Sequence, residues 1–534
     1  MKPNSVIIIG GGIAGLTTAH ELLELNYDVT LIERNDIVGG IARTYQNNTC
    51  PYEYSWRAYG SYYNNVFDIM SRIKLNDDKT VLDNLIDVST INNLQSVYLN
   101  KHCPIGHFYE LGKLCMSDYL KLLPSFIDFI IHDDNYNQHF YSSLNYRKFL
   151  QDKHISTVGI NRLGKMIGPF WGLDYNNASV YDIYKIINML LCNDKGHYYI
   201  TKYPTNYAWF DPWLLYLKQI GLKLYLNTEV TKLNINDGII SDIKVLNKVT
   251  NTTFTLRANY YACCTGPEIL YKLIEPFEFM NLYVEKIRKV SKNGEQIQMS
   301  VYYYIDKPIG FSNGYIYLPN TPWLLIIIPY AAVWGDDFLN RYCNNKIKDV
   351  MSVGICQPYE KGLLIKKPWS ECTPEEIKIE AWYQLMNDKD FKREICVDSL
   401  DINIIDFKLW PSYNYNTKTN KLETYEPKWA NNMNTAENRP STISPISNLF
   451  IGGTYTNTSV YLAGMEGAVE SGKRVAYCIS RNSSIKIFKK KYSFFQIKFV
   501  RNIILIVLII WFIYFFNLII AENQTNKIFK LLIF

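Results

Sequence analysis

What the sequence lacks narrows its chemistry first. Its seven histidines show no ligand spacing, so no metal is expected. Its eleven cysteines are odd in number, scattered, and never arranged as CxxC, and no export leader precedes Val6. That pattern reads as free thiols in a reducing compartment. No nucleophile motif or triad is present. A basic surplus is also missing from most of the chain. From Arg481 onward there are nine Lys or Arg against the single acid Glu522, so this tail carries +8 and residues 1–480 carry −2 of the total of +6. Nucleic-acid binding by the body is therefore not expected. Long uninterrupted apolar runs are absent until residues 503–521, which are apolar apart from Asn517. As a helix this stretch spans roughly 29 Å, about one bilayer core. Lys489, Lys490, Lys491, Lys498 and Arg501 precede it, and only Lys527 and Lys530 follow. The heavier basic flank places its N-terminal side in the cytosol. The expectation is a single-pass, tail-anchored membrane protein whose body faces the cytoplasm.

At 534 residues the chain exceeds one ordinary core, so two or more domains are expected. The most informative stretch comes first. Val6 to Ile9 is a short apolar run, followed at once by Gly10-Gly11-Gly12-Ile13-Ala14-Gly15. An amphipathic segment runs from Leu16 to Leu25, and a second apolar run, Val29 to Ile32, ends at Glu33. Strand, glycine turn, helix, strand and acid in this order form a dinucleotide-binding unit. Gly10 permits the turn, Gly12 lets a pyrophosphate approach the backbone, and Gly15 lets helix and strand pack closely. The N–H groups at Ile13 and Ala14 open the helix toward the phosphates. Glu33 suits the ribose hydroxyls. Arg34 follows, and then Gly39-Gly40-Ile41-Ala42-Arg43, a glycine pair with a guanidinium placed to face the pyrophosphate.

This combination resembles the flavin-dependent amine oxidase and carotenoid (phytoene) desaturase superfamily, over roughly residues 5 to 480. The resemblance implies FAD at this site, with Gly40, Arg43 and Arg34 beside it. It implies that Trp56 and Arg57 pass near the flavin ring, that the backbone of Val230 meets the adenine, and that Trp410 lines the substrate cavity. Near the other end, Asn448 to Thr454 reads as a buried strand ending in Gly452-Gly453, and Gly464-Met465-Glu466-Gly467 opens a further helix. In the superfamily such a helix N-terminus faces the flavin pyrimidine, which implies backbone contacts at Gly453, Met465 and Glu466. Relatives usually carry an acid at the position of Gly453.

The fold class implied is α/β: a discontinuous Rossmann-like FAD-binding domain (residues 1–95, 205–286 and 430–480) with an inserted α+β substrate domain (96–204 and 287–429). A basic linker (481–502), a transmembrane helix (503–521) and a short tail (522–534) complete it. Met116 to Ile131 and Val180 to Leu191 carry helical periodicity. Ser300 to Ile305 and Trp323 to Tyr330 read as strands, and Asp237-Gly238 as a hairpin turn. The function implied is FAD-dependent dehydrogenation of a small hydrophobic, isoprenoid-type substrate, with Arg57 and Trp410 as candidate active-site residues and oxygen or a quinone as electron acceptor. A flavin amine oxidase for a soluble amine, a sugar-nucleotide mutase-like isomerase and a non-enzymatic membrane scaffold are the alternatives.

Overall fold

The structure, a computed structural model, describes residues 4–46, 49–55, 57–87, 114–191, 198–292, 298–310, 316–395, 402–433 and 435–489. Its organising strand is β1 (Ser5–Ile9), five buried residues of sequence SVIII. A strand buried on both faces needs a continuous run of such side chains. β1 pairs in parallel with β2 (Asp28–Ile32) on one side and with Tyr260–Cys263 on the other. Lys223–Tyr225 extends the sheet beyond β2, and Leu449–Ile451 extends it beyond Tyr260–Cys263. The five parallel strands thus come from three distant stretches of sequence.

Helix α1 (Ile13–Glu24) returns the chain from β1 to β2. Two glycines set its position. A Cβ on Gly15 would lie 2.0 Å from the carbonyl oxygen of Gly10, so α1 rests on the turn itself. On its other side runs the long helix Met465–Ser480, where a Cβ on Gly472 would lie 2.5 Å from the carbonyl of Ala14. A three-stranded antiparallel sheet (Thr228–Asn236, Ile239–Asn247, Thr252–Leu256) packs beside the parallel one. Its first turn is Asp237-Gly238, both left-handed at φ 50° and 73°, as a tight hairpin requires.

A five-stranded antiparallel sheet has the order Ile316–Leu318, Leu325–Pro329, Asp349–Ile355, Met299–Ile305, Ile404–Lys408. Every residue of Met299–Ile305 is buried. Its tyrosines point alternately into two separate apolar clusters, Tyr303 into one and Tyr302 and Tyr304 into the other. Five helices, among them Met116–Ile131, Thr157–Trp171 and Val180–Leu191, form a further apolar cluster with Tyr62, Tyr461 and Leu462.

Two expectations need restating. Cys50 and Cys343 are joined by a disulfide across 293 residues, so the reading of free thiols throughout does not hold. Their spacing gave no hint, because the fold alone brings them together. Residues 503–521, expected to cross a membrane, lie outside the described residues. Among the described residues no helix is long and apolar enough to do so.

Candidate cofactor and substrate site

A continuous cavity of about 1360 Å³ begins at the carboxyl ends of β1 and β2 and reaches the antiparallel sheet and the helical layer. This is where an open parallel sheet takes its ligand, beyond the strand ends where neighbouring connections diverge. Of the residues singled out from the sequence, Gly10, Gly12, Ile13, Ala14, Glu33, Arg34, Gly40, Arg57, Val230, Gly453 and Met465 line it. The two glycine-bearing strand–helix junctions, far apart in sequence, therefore open on one space.

At the narrow end the backbones of Gly12 and Gly40 face each other. A Cβ on Gly40 would lie 3.1 Å from the Cα of Gly12, and one on Gly12 would meet only Gly40, at 3.7 Å. Any side chain at Gly40 would begin to fill the cradle. The first N–H groups of α1 lack partners within the helix and carry its positive end. Glu33 closes the other side. Its Oε2 accepts from the Gly11 N–H at 2.7 Å, and Oε1 accepts from the Asn35 N–H and Nδ2, both at 2.9 Å. Burial pushes this carboxyl upward in pKa, against the N–H groups of Asn35 and Gly11 and the nearby arginines. Met465 brings a second helix N-terminus to the same cavity. Two helix ends of partial positive charge, an acid and a glycine cradle fit a dinucleotide, whose diphosphate carries negative charge.

Gly453 explains its own identity. Its φ is +132°, and a Cβ there would lie 2.6 Å from the Tyr455 ring. The acid usual in relatives has no room in this backbone. The Gly453 N–H donates instead to Ser471 Oγ at 2.9 Å, which ties the strand end to the Met465–Ser480 helix.

Four expected site residues lie off the cavity. Gly15 is where α1 meets β1, as above. Arg43, expected to face a pyrophosphate, is not among the lining residues, and its side chain is fully buried. One nitrogen donates to the Gly40 carbonyl at 2.7 Å, and the other to Tyr45 and to Glu426 Oε2 at 2.9 and 2.8 Å. Trp410 is likewise core. Its Nε1 donates to Glu426 Oε2 at 3.0 Å, and its ring stacks on the Arg43 guanidinium. Burial alone would raise the Glu426 carboxyl, but Arg43, Trp410 and Arg34 outweigh it and hold it below the usual range. Arg34, which does reach the cavity, is held by the Tyr425 carbonyl at 3.0 Å and by Glu426 at 3.5 Å.

Glu466 is the fourth. Its carboxylate caps helix α2 (Asn64–Arg72), accepting from the N–H groups of Asn65 and Val66 at 2.9 and 3.0 Å and from Asn65 Nδ2 at 2.7 Å. Burial nonetheless raises its pKa to about 7. A folded-state pKa above the unfolded value means that the charged form is disfavoured by folding. The Glu466 contribution to stability should therefore fall as pH rises from about 4.5 to about 7 and then level off, by about 3 kcal/mol at most. Melting temperatures from pH 5 to 8 check this. Asp182, Asp349 and Glu268, also raised by burial, add to the same slope; Glu466→Gln should make it shallower, and an unchanged slope in that variant would refute the assignment.

At the wide end Arg57 is fixed by a buried network. It pairs with Glu53 and donates to the Ile41 carbonyl at 3.1 Å. Glu53 Oε1 in turn accepts from Thr44 Oγ1 and the Thr205 N–H, each at 2.6 Å. Trp56 lies outside the described residues. Two wall residues had no signal in the sequence. Lys428 Nζ donates to Gln298 Oε1 at 2.5 Å, and both side chains line the cavity beside Cys356. They are 130 residues apart, and no local pattern marks either.

Comparison with known proteins agrees with this geometry. Residues 8–73 match an NAD(P)-binding Rossmann-like domain, and residues 212–480, half of the chain, match the flavin containing amine oxidoreductase family. A 15-cis-phytoene desaturase of an Oncidium hybrid cultivar is 22% identical over 498 residues, covering 90% of this chain and 78% of its own. Putrescine oxidase solved with putrescine bound has a TM-score of 0.59 at 12% identity, over 90% of this chain and 99% of that one. An oxidoreductase from Methanosarcina mazei has a TM-score of 0.56 at 14% identity, over 88% and 99%. With the family match spanning the strands and helix that close the cavity, and the fold shared along nearly the whole described body, the chain belongs to the flavin-containing amine oxidoreductase family and is an FAD-dependent oxidoreductase.

Proposed function

We propose that this oxidoreductase dehydrogenates a hydrophobic, isoprenoid-type substrate while anchored to a membrane by residues 503–521. One observation carries the reading. The cavity that begins at the glycine cradle continues without a break into a chamber walled by Tyr62, Trp171, Met189, Ile326 and Leu462. An apolar chamber of this kind takes an apolar molecule and excludes water from it. The likeness to a desaturase over 90% of this chain and the apolar stretch near the C-terminus support the same reading.

In this scheme Gly10, Gly12 and Gly40 with the first turn of α1 would hold the diphosphate, Glu33 the ribose, and Val230 the adenine. The N-terminus of Met465–Ser480 would face the pyrimidine edge, where negative charge gathers on reduction. Bound there, FAD supplies a two-electron acceptor for hydride removal from carbon. Arg57, immobilised by Glu53, keeps a fixed positive charge at the wall between the two parts of the cavity. Oxygen or a quinone takes the electrons onward.

The test is anaerobic. Full-length protein, purified in detergent, is mixed with isoprenoid hydrocarbons, with isoprenoid alcohols and acids, and with putrescine and spermine. Bleaching of the visible flavin absorbance by isoprenoids and not by polyamines is expected; the reverse selectivity would overturn the proposal. Removing residues 503–534 should shift the protein from the membrane to the soluble fraction while keeping the flavin spectrum. Continued membrane retention would remove the anchor from the proposal.

A further inference from the structure

The polar groups of the chamber are not placed at random. Those on the nucleotide side belong to the Rossmann-like elements, whereas Lys428 and Gln298 stand where the antiparallel sheet meets the helical layer. Gln298 precedes the strand Met299–Ile305, and its Nε2 donates to the carbonyl of Gly168 at 2.5 Å, near the C-terminus of the helix Thr157–Trp171. With its nitrogen committed to a carbonyl, the amide must turn Oε1 the other way. That oxygen accepts from Lys428 Nζ. Gly172, which caps the helix, leaves the room that Nζ occupies, since a Cβ there would lie 2.7 Å from it. The C-terminal end of a helix also favours a cation. One helix end thus orients one amide, and the amide orients one ammonium at the cavity wall.

We infer that Lys428, positioned by Gln298, is a head-group anchor, and that the substrate is an apolar molecule ending in an oxygen acceptor, best a carboxylate. This rests on the reading of the cavity as an apolar substrate chamber and narrows it. An ammonium donates and does not accept, so it meets a carboxylate, carbonyl or hydroxyl oxygen with a charge-assisted hydrogen bond. It repels a protonated amine. Arg57, whose charge is felt at Lys428, adds to that repulsion. Burial lowers the Lys428 pKa to about 8, which still leaves the ammonium as the main form at neutral pH. The chemistry therefore separates three ends of one chain: acid favoured, alcohol accepted, amine refused.

A matched series of twenty-carbon isoprenoids tests this: geranylgeranoic acid, geranylgeraniol and geranylgeranylamine. Each is titrated anaerobically into full-length holoprotein at pH 7, and binding is read from the perturbation of the flavin visible spectrum. The acid should bind about tenfold or more tightly than the amine, with the alcohol between them. Lys428→Met should bring the three affinities together, Lys428→Arg should keep the order, and Gln298→Leu should weaken the preference without erasing it. Flavin content and melting temperature of each variant separate loss of fold from loss of preference. An amine that binds wild type as tightly as the acid, a preference that survives Lys428→Met, or binding of none of the three to flavin-loaded protein would each overturn the inference. Purified wild type with no flavin absorbance would overturn the FAD assignment beneath it, and the inference with it.

Discussion

Glu426→Ala should be among the most damaging single changes outside the cofactor cradle, lowering stability by about 3–5 kcal/mol. The reason is asymmetry. Glu426 is the carboxylate that balances Arg43, whose side chain has no exposure to solvent, and it also accepts from Trp410 and pairs with Arg34. Removing it leaves a guanidinium in the protein interior without its counter-ion, and two aromatic faces do not replace one. Arg43 carries the chain out of the turn Gly39–Ala42, which rests against Gly12. The loss should therefore appear twice, as a lower melting temperature and as weaker flavin retention. Replacing the pair together, Arg43→Met with Glu426→Leu, should recover much of the stability, because neither charge is then stranded. A Glu426→Ala protein that melts with wild type would show that Arg43 finds another partner.

Gly15→Ala should have a comparable effect by a different route. One added methyl group usually costs 1–3 kcal/mol when the neighbours can relax. Here it would meet a backbone oxygen, that of Gly10, at 2.0 Å. Nor can α1 retreat freely, because it also touches the Met465–Ser480 helix at Gly472, where a Cβ would lie 2.5 Å from the Ala14 carbonyl. The helix must tilt, and its first turn leaves the cradle. Loss of about 3 kcal/mol of phosphate binding corresponds to roughly a hundredfold weaker FAD affinity. Titration of deflavinated protein with FAD measures it. Wild-type affinity in Gly15→Ala would mean that the close approach is not what holds the cradle in shape.

These two residues also show where the sequence could be read and where it could not. Gly15 announces itself because its role is local: a turn, a helix and a strand within thirty residues force its identity. The same holds for the turn Asp237-Gly238 and for the helices Met116–Ile131 and Val180–Leu191, although Met116, Leu120 and Leu123 of the first stay exposed. Arg43 misleads because its partner, Glu426, is 383 residues away. A guanidinium beside a glycine pair suits a pyrophosphate and a buried carboxylate equally well, and only the fold decides between them. Trp410 follows Arg43 into the core for the same reason. Glu466 sits in the first turn of a helix, where an acid usually serves its own N–H groups; here it caps a neighbouring helix instead. Gly453 reads as a lost acid until its backbone angle is known. Lys428 and Gln298 are ordinary in sequence and are united only by the end of a third element.

The central place of β1 has a consequence for how the protein is made. The ribosome delivers this strand first, yet its neighbour Tyr260–Cys263 emerges some 250 residues later, and Leu449–Ile451 later again. At about 5–20 residues per second, one edge of this strand, apolar from Val6 to Ile9, waits roughly 10–50 s for its mate. During that interval β2 and α1 can shield only one flank. The newborn chain thus carries an unpaired apolar edge, open to misassociation, until the second third of the polypeptide arrives.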